Sequence, residues 1–470
     1  MRALEKWGGK VSPAWRSLLA FMEQKWLLFG LACLLSFFTT LFFWQLSIPV
    51  FLFLWVLFFL AEMLICEGTF ARNRFFRMHR SFSTTFYVLL FSACFLNLVL
   101  TFYLNSSYAS IFFGVSLLTV LFGKKVGQGS SVFLTLHFLA CFPQRVAPGM
   151  ILLLAGFLTA SFSNHVNKRL DISLAAFYVS LLKAFTALLL GYTPFDRFFV
   201  NQFVAFAVTP LVSTIAVIGF LPYVEWTSRV FSNIGMMELG NLNHPLLKKL
   251  FEEAPGTYFH SMTMANLSEN AAERIGVNPT LARVGSYFHD VGKLWKPQFF
   301  TENQQGENPH DLIEPSMSKL VLNEHVKHGV TLAKEYKLPI LFEDLIVQHH
   351  GTRVQKFFYH KAKTENDAVS EDQFRYAGPK PQFKEAGIIM LADSCEAAVK
   401  SLKEPGPGKV QEVVKQIVDG IYTERQLDDS GLTLKDLESI VDEFSRSLLN
   451  AMRKRIAYPT DGEEDAKKEG

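Results

Sequence analysis

Residues 287–293 read Tyr-Phe-His-Asp-Val-Gly-Lys, so His289 and Asp290 close an apolar helical stretch, with His260 upstream and His325, His349, His350 and Asp393 downstream. Seven imidazoles and carboxylates spread over about 130 residues are enough to hold two metal ions. Adjacent His and Asp on one helix, joined by a later His-His pair and a late Asp, let one carboxylate bridge two cations. Two ions about 3.5–4 Å apart can clamp a phosphate and make hydroxide available at neutral pH. The pattern therefore points to hydrolysis of a phosphate ester. Mixed nitrogen and oxygen donors without a thiolate suit iron, manganese, zinc or cobalt, so residue types alone leave the metal open.

Each piece taken singly is weak. A His-Asp dipeptide is most often a salt-bridged pair, and neighbours on a helix diverge by about 100°. Asp393 changes the balance because it sits in Ala386-Gly-Ile-Ile-Met-Leu-Ala392, where an unpaired carboxylate would cost several kcal/mol or become protonated, so something positive should face it. His349-His350, before Gly351, supplies two neutral nitrogen donors at a helix end without anionic repulsion. His325 and His328 share a helix face, and spacing alone does not choose between ligand and surface stripe. Lys293, one turn past Asp290, is a candidate for balancing charge on phosphoryl oxygens or, equally, an interface lysine.

These residues need an element to carry them and a compartment to work in. The 470-residue chain is 50% hydrophobic with 46 Phe, yet only 19% of its residues are charged. The apolar runs fall at 26–224, whereas nine of the 12 His lie beyond 225, so the chain is half membrane and half soluble. Eight spans are predicted, at about 26–46, 49–66, 83–104, 107–123, 130–143, 148–163, 172–192 and 203–224. Lys and Arg collect in alternate connections: Arg2 to Lys25, then Arg72, Arg74, Arg77 and Arg80, then Lys124 and Lys125, then Lys168 and Arg169. The other connections carry only Arg145 and Arg197, which puts the N-terminal segment 1–25 and the soluble half in the cytoplasm of a multi-pass cell-membrane protein. Glu62 and Lys183 are read as reaching the interface or pairing within the bundle. Five scattered cysteines imply no disulfide framework, and a net charge of +3 gives no footprint for a nucleic-acid polymer.

In the soluble half a helical connector is expected over 225–255, restarting at Asn243-His-Pro245. Thr257 can cap a helix carrying His260 to about Ile275, and Asn278-Pro279 is a start signal for the helix that runs to His289-Asp290. A loop follows at 299–311, then helices at about 315–336, 339–349, 383–400, 409–424 and 433–452, with a polar stretch over 361–382. No strand-period runs occur, so the domain at 256–456 is expected to be all-α, and the charged tail 457–470 to be disordered.

The segments Asn243-His-Pro-Leu-Leu247, Glu253-Ala-Pro-Gly-Thr-Tyr258, His260-Ser261, His289-Asp-Val-Gly-Lys293, Glu307-Asn-Pro-His-Asp311, His349-His-Gly-Thr352, Phe357-Phe-Tyr-His-Lys361, Gly378-Pro-Lys-Pro381 and Ala392-Asp-Ser394, in this order, resemble membrane-bound cyclic-di-AMP phosphodiesterases with a seven-transmembrane region and a cytoplasmic HD domain. The resemblance runs from about residue 83 to 455. It implies one ion on His260, His289, Asp290 and Asp393 and another on Asp290, His325, His349 and His350, with Asp290 as bridge and iron or manganese as the ions. His325 is preferred over His328 because the family's ligand precedes a Val-x-x-Gly-Val stretch, matched here by residues 326–330.

The resemblance further implies catalytic roles for His289, Asp290 and Lys293 and opening of cyclic di-AMP to linear pApA. Lys293, Asn308, Arg353 and Lys361 are candidates for nucleotide contact. The implied partners are a cyclic dinucleotide and the lipid bilayer, with room for a homodimer. Two features depart from the family: Val291 replaces the commoner Ile, and only about two residues separate the first two spans where members carry a large extracytoplasmic domain. Cyclic di-GMP is the nearest rival substrate, but the Gly-Tyr-Pro signature of enzymes for that nucleotide does not follow His350-Gly351. A guanosine polyphosphate or deoxynucleotide hydrolase, and a non-catalytic receptor or transporter with an HD-like domain, are the remaining alternatives.

Overall fold

In a computed structural model the described residues are 74–103, 110–142, 144–189, 197–403 and 406–451. The predicted segment 1–25, the first two predicted spans and the tail 457–470 lie outside them. The chain divides into two compact units, Met1–Gly235 and Met236–Gly470, and the described residues of both are helical without a named strand.

In the first unit, helices stand at each of the six remaining predicted spans: α1 (Arg80–Tyr103), α2 (Phe112–Phe122), α3 (Lys124–Cys141), α4 (Val146–Phe162), α5 (Arg169–Leu189) and α6 (Arg197–Ser228). Two stretches among them, Arg80–Thr101 and Val204–Ser228, are long and apolar enough to cross a bilayer, and α2 and α4 are shorter apolar helices. α3 is more polar than its predicted span because it begins at Lys124-Lys125 and carries Gln128, Ser130 and Ser131. Two of its three hydroxyls are satisfied internally: Ser130 and Ser131 donate to the carbonyls of Val126 and Gly127, as Thr119 in α2 does to Val115 and Thr159 in α4 to Ala155. A helix surrounded by hydrocarbon has to satisfy its polar groups in this way.

The second unit is built from α7 (Pro245–Glu253), α8 (Pro255–Ile275), α9 (Pro279–Phe288), α10 (Pro315–Glu335), α11 (Ile340–Gln348), α12 (Lys356–Glu365), α13 (Lys384–Lys400), α14 (Pro407–Thr423) and α15 (Leu434–Ala451). α13 is the axis of the core, burying Ala386 through Ala392 together with Cys395 and Val399. α14 covers it with Val410, Val414, Val418 and Ile421, and α15 with Leu437, Ile440, Phe444 and Leu448. Spacings of three and four give each helix one apolar face. Asn278 caps α9 as predicted, its side chain accepting from Leu281 N at 3.1 Å with Pro279 at the first helical position.

Two expectations about this unit are corrected. Thr257 does not cap α8: the helix starts at Pro255, whose fixed φ suits the first turn, and Thr257 Oγ1 instead donates to Glu302 Oε1 at 2.9 Å. The stretch after His350 contains α12, which the polar composition hid. Phe358 and Ala362 of α12 bury against Phe374 in a small cluster apart from the main core.

Candidate metal centre

α9 ends at Phe288, His289 occupies its C-terminal cap, and Asp290 leads into a tight 3-10 turn at Val291–Trp295. That turn lies against α10 so closely that a Cβ at Gly292 would fall 1.7 Å from the His325 carbonyl. Glycine is required here for the approach of one backbone to another. The contact brings His325 of α10 beside Asp290, while His349 and His350 arrive from the end of α11, His260 from α8 and Asp393 from α13.

The structure gathers all seven predicted residues into two adjoining groups, His260, His289, Asp290 and Asp393 on one side and Asp290, His325, His349 and His350 on the other. Within each group the donor atoms lie within 4.8 Å of one another. Asp290 is shared, and its two oxygens face opposite ways. Oδ2 lies 3.3 Å from His289 Nε2 and 4.0 Å from His260 Nε2; Oδ1 lies 3.5 Å from both His325 Nε2 and His349 Nε2. His328 stays outside the cluster.

Four of the five imidazoles are aimed by their other nitrogen. Nδ1 of His289 donates to Ser286 O and Nδ1 of His349 to Ile346 O, both at 2.8 Å, and Nδ1 of His325 pairs with Leu322 O. Nδ1 of His260 pairs with Glu396 Oε2 at 2.8 Å. With a proton on Nδ1, each Nε2 lone pair points into the pocket, the second-shell arrangement that fixes a ligating tautomer. Nε2 of His289, His325 and His349, together with Asp290 Oδ1, are buried and have no hydrogen-bond partner. Orphan buried acceptors are rare; here Asp290 Oδ1 and Nε2 of His325 and His349 face one another on one side of Asp290 and His289 Nε2 lies on the other, donors of the kind divalent cations require. The residues therefore fit metal ions.

The charge states agree with this donor chemistry. Burial pushes His325 down to about 4, and burial followed by the neighbouring His349 and His325 holds His350 well below its usual range, so both are neutral donors at pH 7. Burial works against the Asp290 carboxylate, but Lys293 and His289 outweigh it and keep it ionised. His260 is the exception. Burial lowers its pKa, but hydrogen bonds to Asp393 and Glu396 prevail and raise it to about 10, so an incoming cation has a proton to displace.

Asp393 is faced by His260 Nε2 at 3.1 Å, which supplies the positive partner its apolar helix called for. Its side chain is 18% exposed and so lies at the open side of the pocket, unlike Asp290 at 1%. Lys293 Nζ contacts Asp290 Oδ2 at 2.7 Å and Glu302 Oε1 at 2.6 Å. The other three candidates for nucleotide contact have partners already. Arg353 donates to Ser394 Oγ at 2.7 Å and Glu424 at 3.3 Å, Asn308 accepts from His310 N and Gln304 Nε2, and Lys361 meets Asp311 at 3.3 Å. Glu396 and Glu302 escaped the sequence reading. Glu396 carried a signal, lying one helical turn after Asp393 on the same face; Glu302, in a loop, carried none.

An all-helical domain that gathers His and Asp around one shared carboxylate defines the HD class, and an HD-domain family model matches residues 257–398. A second model, described as 7TM receptor with intracellular HD hydrolase, matches residues 45–232. The two models match the apolar half and the histidine-bearing half of the chain in turn. It is 36% identical over 357 residues to the cyclic-di-AMP phosphodiesterase PgpH of Bacillus subtilis, a match covering 74% of this chain and 50% of that protein. The Listeria monocytogenes protein of the same name is 36% identical over 363 residues, with the same coverage. The chain thus spans about half the length of the curated relatives it matches. The crystal structure of the L. monocytogenes PgpH HD domain in complex with cyclic-di-AMP is 43% identical, with a TM-score of 0.44, over 46% of this chain and 100% of that one.

Proposed function

We propose that the chain is a membrane-anchored phosphodiesterase that opens cyclic di-AMP to linear pApA at a pair of divalent ions. The observation that carries this reading is that four buried, unpartnered polar atoms from His289, Asp290, His325 and His349 are gathered on the two sides of one carboxylate. Leaving each unsatisfied costs about 1–3 kcal/mol, and cations satisfy all four at once. His260, His289, Asp290 and Asp393 would hold one ion and Asp290, His325, His349 and His350 the other, with iron or manganese as the ions. Bound there, they would polarise phosphoryl oxygens and supply a nucleophile at neutral pH.

The chain's own part is orientation and charge balance. The Nδ1 bonds to Ser286, Leu322, Ile346 and Glu396 fix four imidazoles before any ligand arrives. Lys293, beside Asp290, is placed to neutralise a phosphoryl oxygen drawn against that carboxylate. Arg353, tied to the residue after Asp393, is the next cation a nucleotide would recruit, while Asn308 and Lys361 would have to exchange present partners for it.

Cyclic di-AMP is favoured because two relatives aligned over 74% of this chain are named for that activity. The Lys and Arg asymmetry supports eight spans with the N-terminal segment 1–25, the connector 225–255 and the HD domain 256–456 on the cytoplasmic side, where nucleotides are found. A homodimer is compatible with this plan.

The test is hydrolysis by the full chain in lipid nanodiscs loaded with manganese or iron. Release of pApA from cyclic di-AMP, abolished by chelation, is the expected outcome. Two bound ions without turnover of any cyclic dinucleotide would refute the enzymatic reading. Turnover of cyclic di-GMP but not cyclic di-AMP would refute the substrate alone.

A further inference from the structure

His350 is held differently from the other four imidazoles. His260, His289, His325 and His349 each have one nitrogen anchored by a carboxylate or a backbone carbonyl. His350 makes no such bond; the carboxylate facing it, Asp393 Oδ2, is 3.8 Å from Nδ1, beyond hydrogen-bonding distance. What it has is a ring on its face. Tyr376 stacks on His350 with centroids 4.2 Å apart and planes 23° from parallel. His349 and His325 crowd it from other directions, with centroids at 3.9 and 5.2 Å.

Tyr376 is brought there by backbone pairing. Its N–H donates to Arg353 O at 3.0 Å, Gln355 N–H donates to Phe374 O at 2.9 Å, and Val354 and Arg375 form an antiparallel bridge between the two runs. Arg375 Nη1 adds a bond to Thr352 O at 3.2 Å. The segment leaving His350 through Gly351 is thus strapped to the segment carrying Tyr376. Gly378, with φ +76°, packs so near that a Cβ would fall 2.8 Å from Thr352 Cγ2. The stacked pair is therefore fixed by main chain on both sides.

We infer that Tyr376 is a positioning residue for the second ion of the proposed pair: its ring plane sets the orientation of His350 where the other imidazoles use a hydrogen bond. The inference rests on the two-ion reading above. An aromatic face holds an imidazole plane by offset stacking while leaving both nitrogens free. The ring is the working part, so phenylalanine should substitute and an aliphatic side chain should not. His350 is also the least buried of the five imidazoles, with 21% side-chain exposure, so without the ring it would be free to swing toward the opening.

The experiment compares wild type, Tyr376→Phe and Tyr376→Leu as full chains in nanodiscs, by manganese stoichiometry and calorimetric titration, with thermal unfolding of the metal-free proteins alongside. Wild type and Tyr376→Phe are expected to take up two ions with equal affinities. Tyr376→Leu is expected to keep the first ion and bind the second about 10-fold more weakly, the usual cost of losing a residue that orients a ligand. If Tyr376→Leu does not fold, Tyr376→Met, which fills the space without a plane, takes its place with the same expectation. Two ions at wild-type affinity in the aliphatic variant would overturn this inference alone, as would an equal loss in Tyr376→Phe, which would assign the role to the hydroxyl. Fewer than two ions in the wild type would overturn both this inference and the two-ion reading.

Discussion

On one side of Asp290 the pocket is built from charge and on the other from imidazole rings. His260 lies between Asp393 Oδ1 at 3.1 Å and Glu396 Oε2 at 2.8 Å, and Lys400 in turn meets Glu396 Oε1 at 2.5 Å. Across the shared carboxylate, His325, His349 and His350 pack ring against ring, and a second carboxylate comes no closer than Asp393 Oδ2, 3.8 Å from His350 Nδ1. His260 keeps a proton when no cation is present; His325 and His350 have already excluded one. Two ions held by one bridging Asp would therefore be bound under different rules, the first in competition with protons and the second limited by how well three rings are aimed.

The most severe way to break the comparison is to remove what the halves share. Asp290→Ala should lose both ions and lower phosphodiesterase turnover by at least about 1,000-fold, roughly 4 kcal/mol of transition-state stabilisation. Metal analysis with single-turnover assays checks it, and one ion retained at full affinity would show that the halves are independent. Changes confined to one side should separate them. His349→Ala should leave a single ion, held by the carboxylate side. Glu396→Gln, which touches no ion directly, should weaken the carboxylate-side ion by about 10- to 100-fold and leave the other unchanged, as read by titration of each site.

A pH titration sharpens the contrast without mutation. His260, raised to about 10 by its carboxylates against the opposing effect of burial, must release a proton when the cation binds. Affinity at that side should rise about tenfold per pH unit between pH 7 and 9. His325, pushed down to about 4 by burial, has no proton to lose in that range, so affinity at the imidazole side should stay flat. In the metal-free protein the sign reverses for stability. A pKa raised above the ordinary 6.5 stabilises the fold fully below pH 6.5, and that contribution is lost as pH rises through about 10. Equal pH slopes at the two sites would refute the distinction.

How much of this was legible in the sequence follows the same division. Ligand types, the Asn278 cap and the helices α14 and α15 could be read because they depend on local sequence, and the ordered motifs supplied the grouping of the seven ligands. Glu396 was within reach of a helical-turn argument from Asp393. Tyr376 and Glu302 were not, because each reaches the site through pairing or packing of irregular segments far apart in sequence, which no period encodes. The polar run after His350 concealed α12 for a related reason: its only buried anchors are Phe358 and Ala362, too few to stand out as an apolar face.

The smallest expected effect serves as the control for the rest. Asn278 caps the helix that delivers both His289 and Asp290, and its own N–H donates to Glu385 Oε1 at 2.9 Å. Asn278→Ala removes the side-chain acceptor for Leu281 N but leaves that backbone bond in place, so it should cost about 1 kcal/mol of stability. Because α9 feeds both halves at once, the loss should appear as a lower unfolding midpoint with two ions still bound at an unchanged ratio of affinities. A selective loss of one ion would mean that the entry of α9, and not the donors around each ion, sets the difference between the two sides of Asp290.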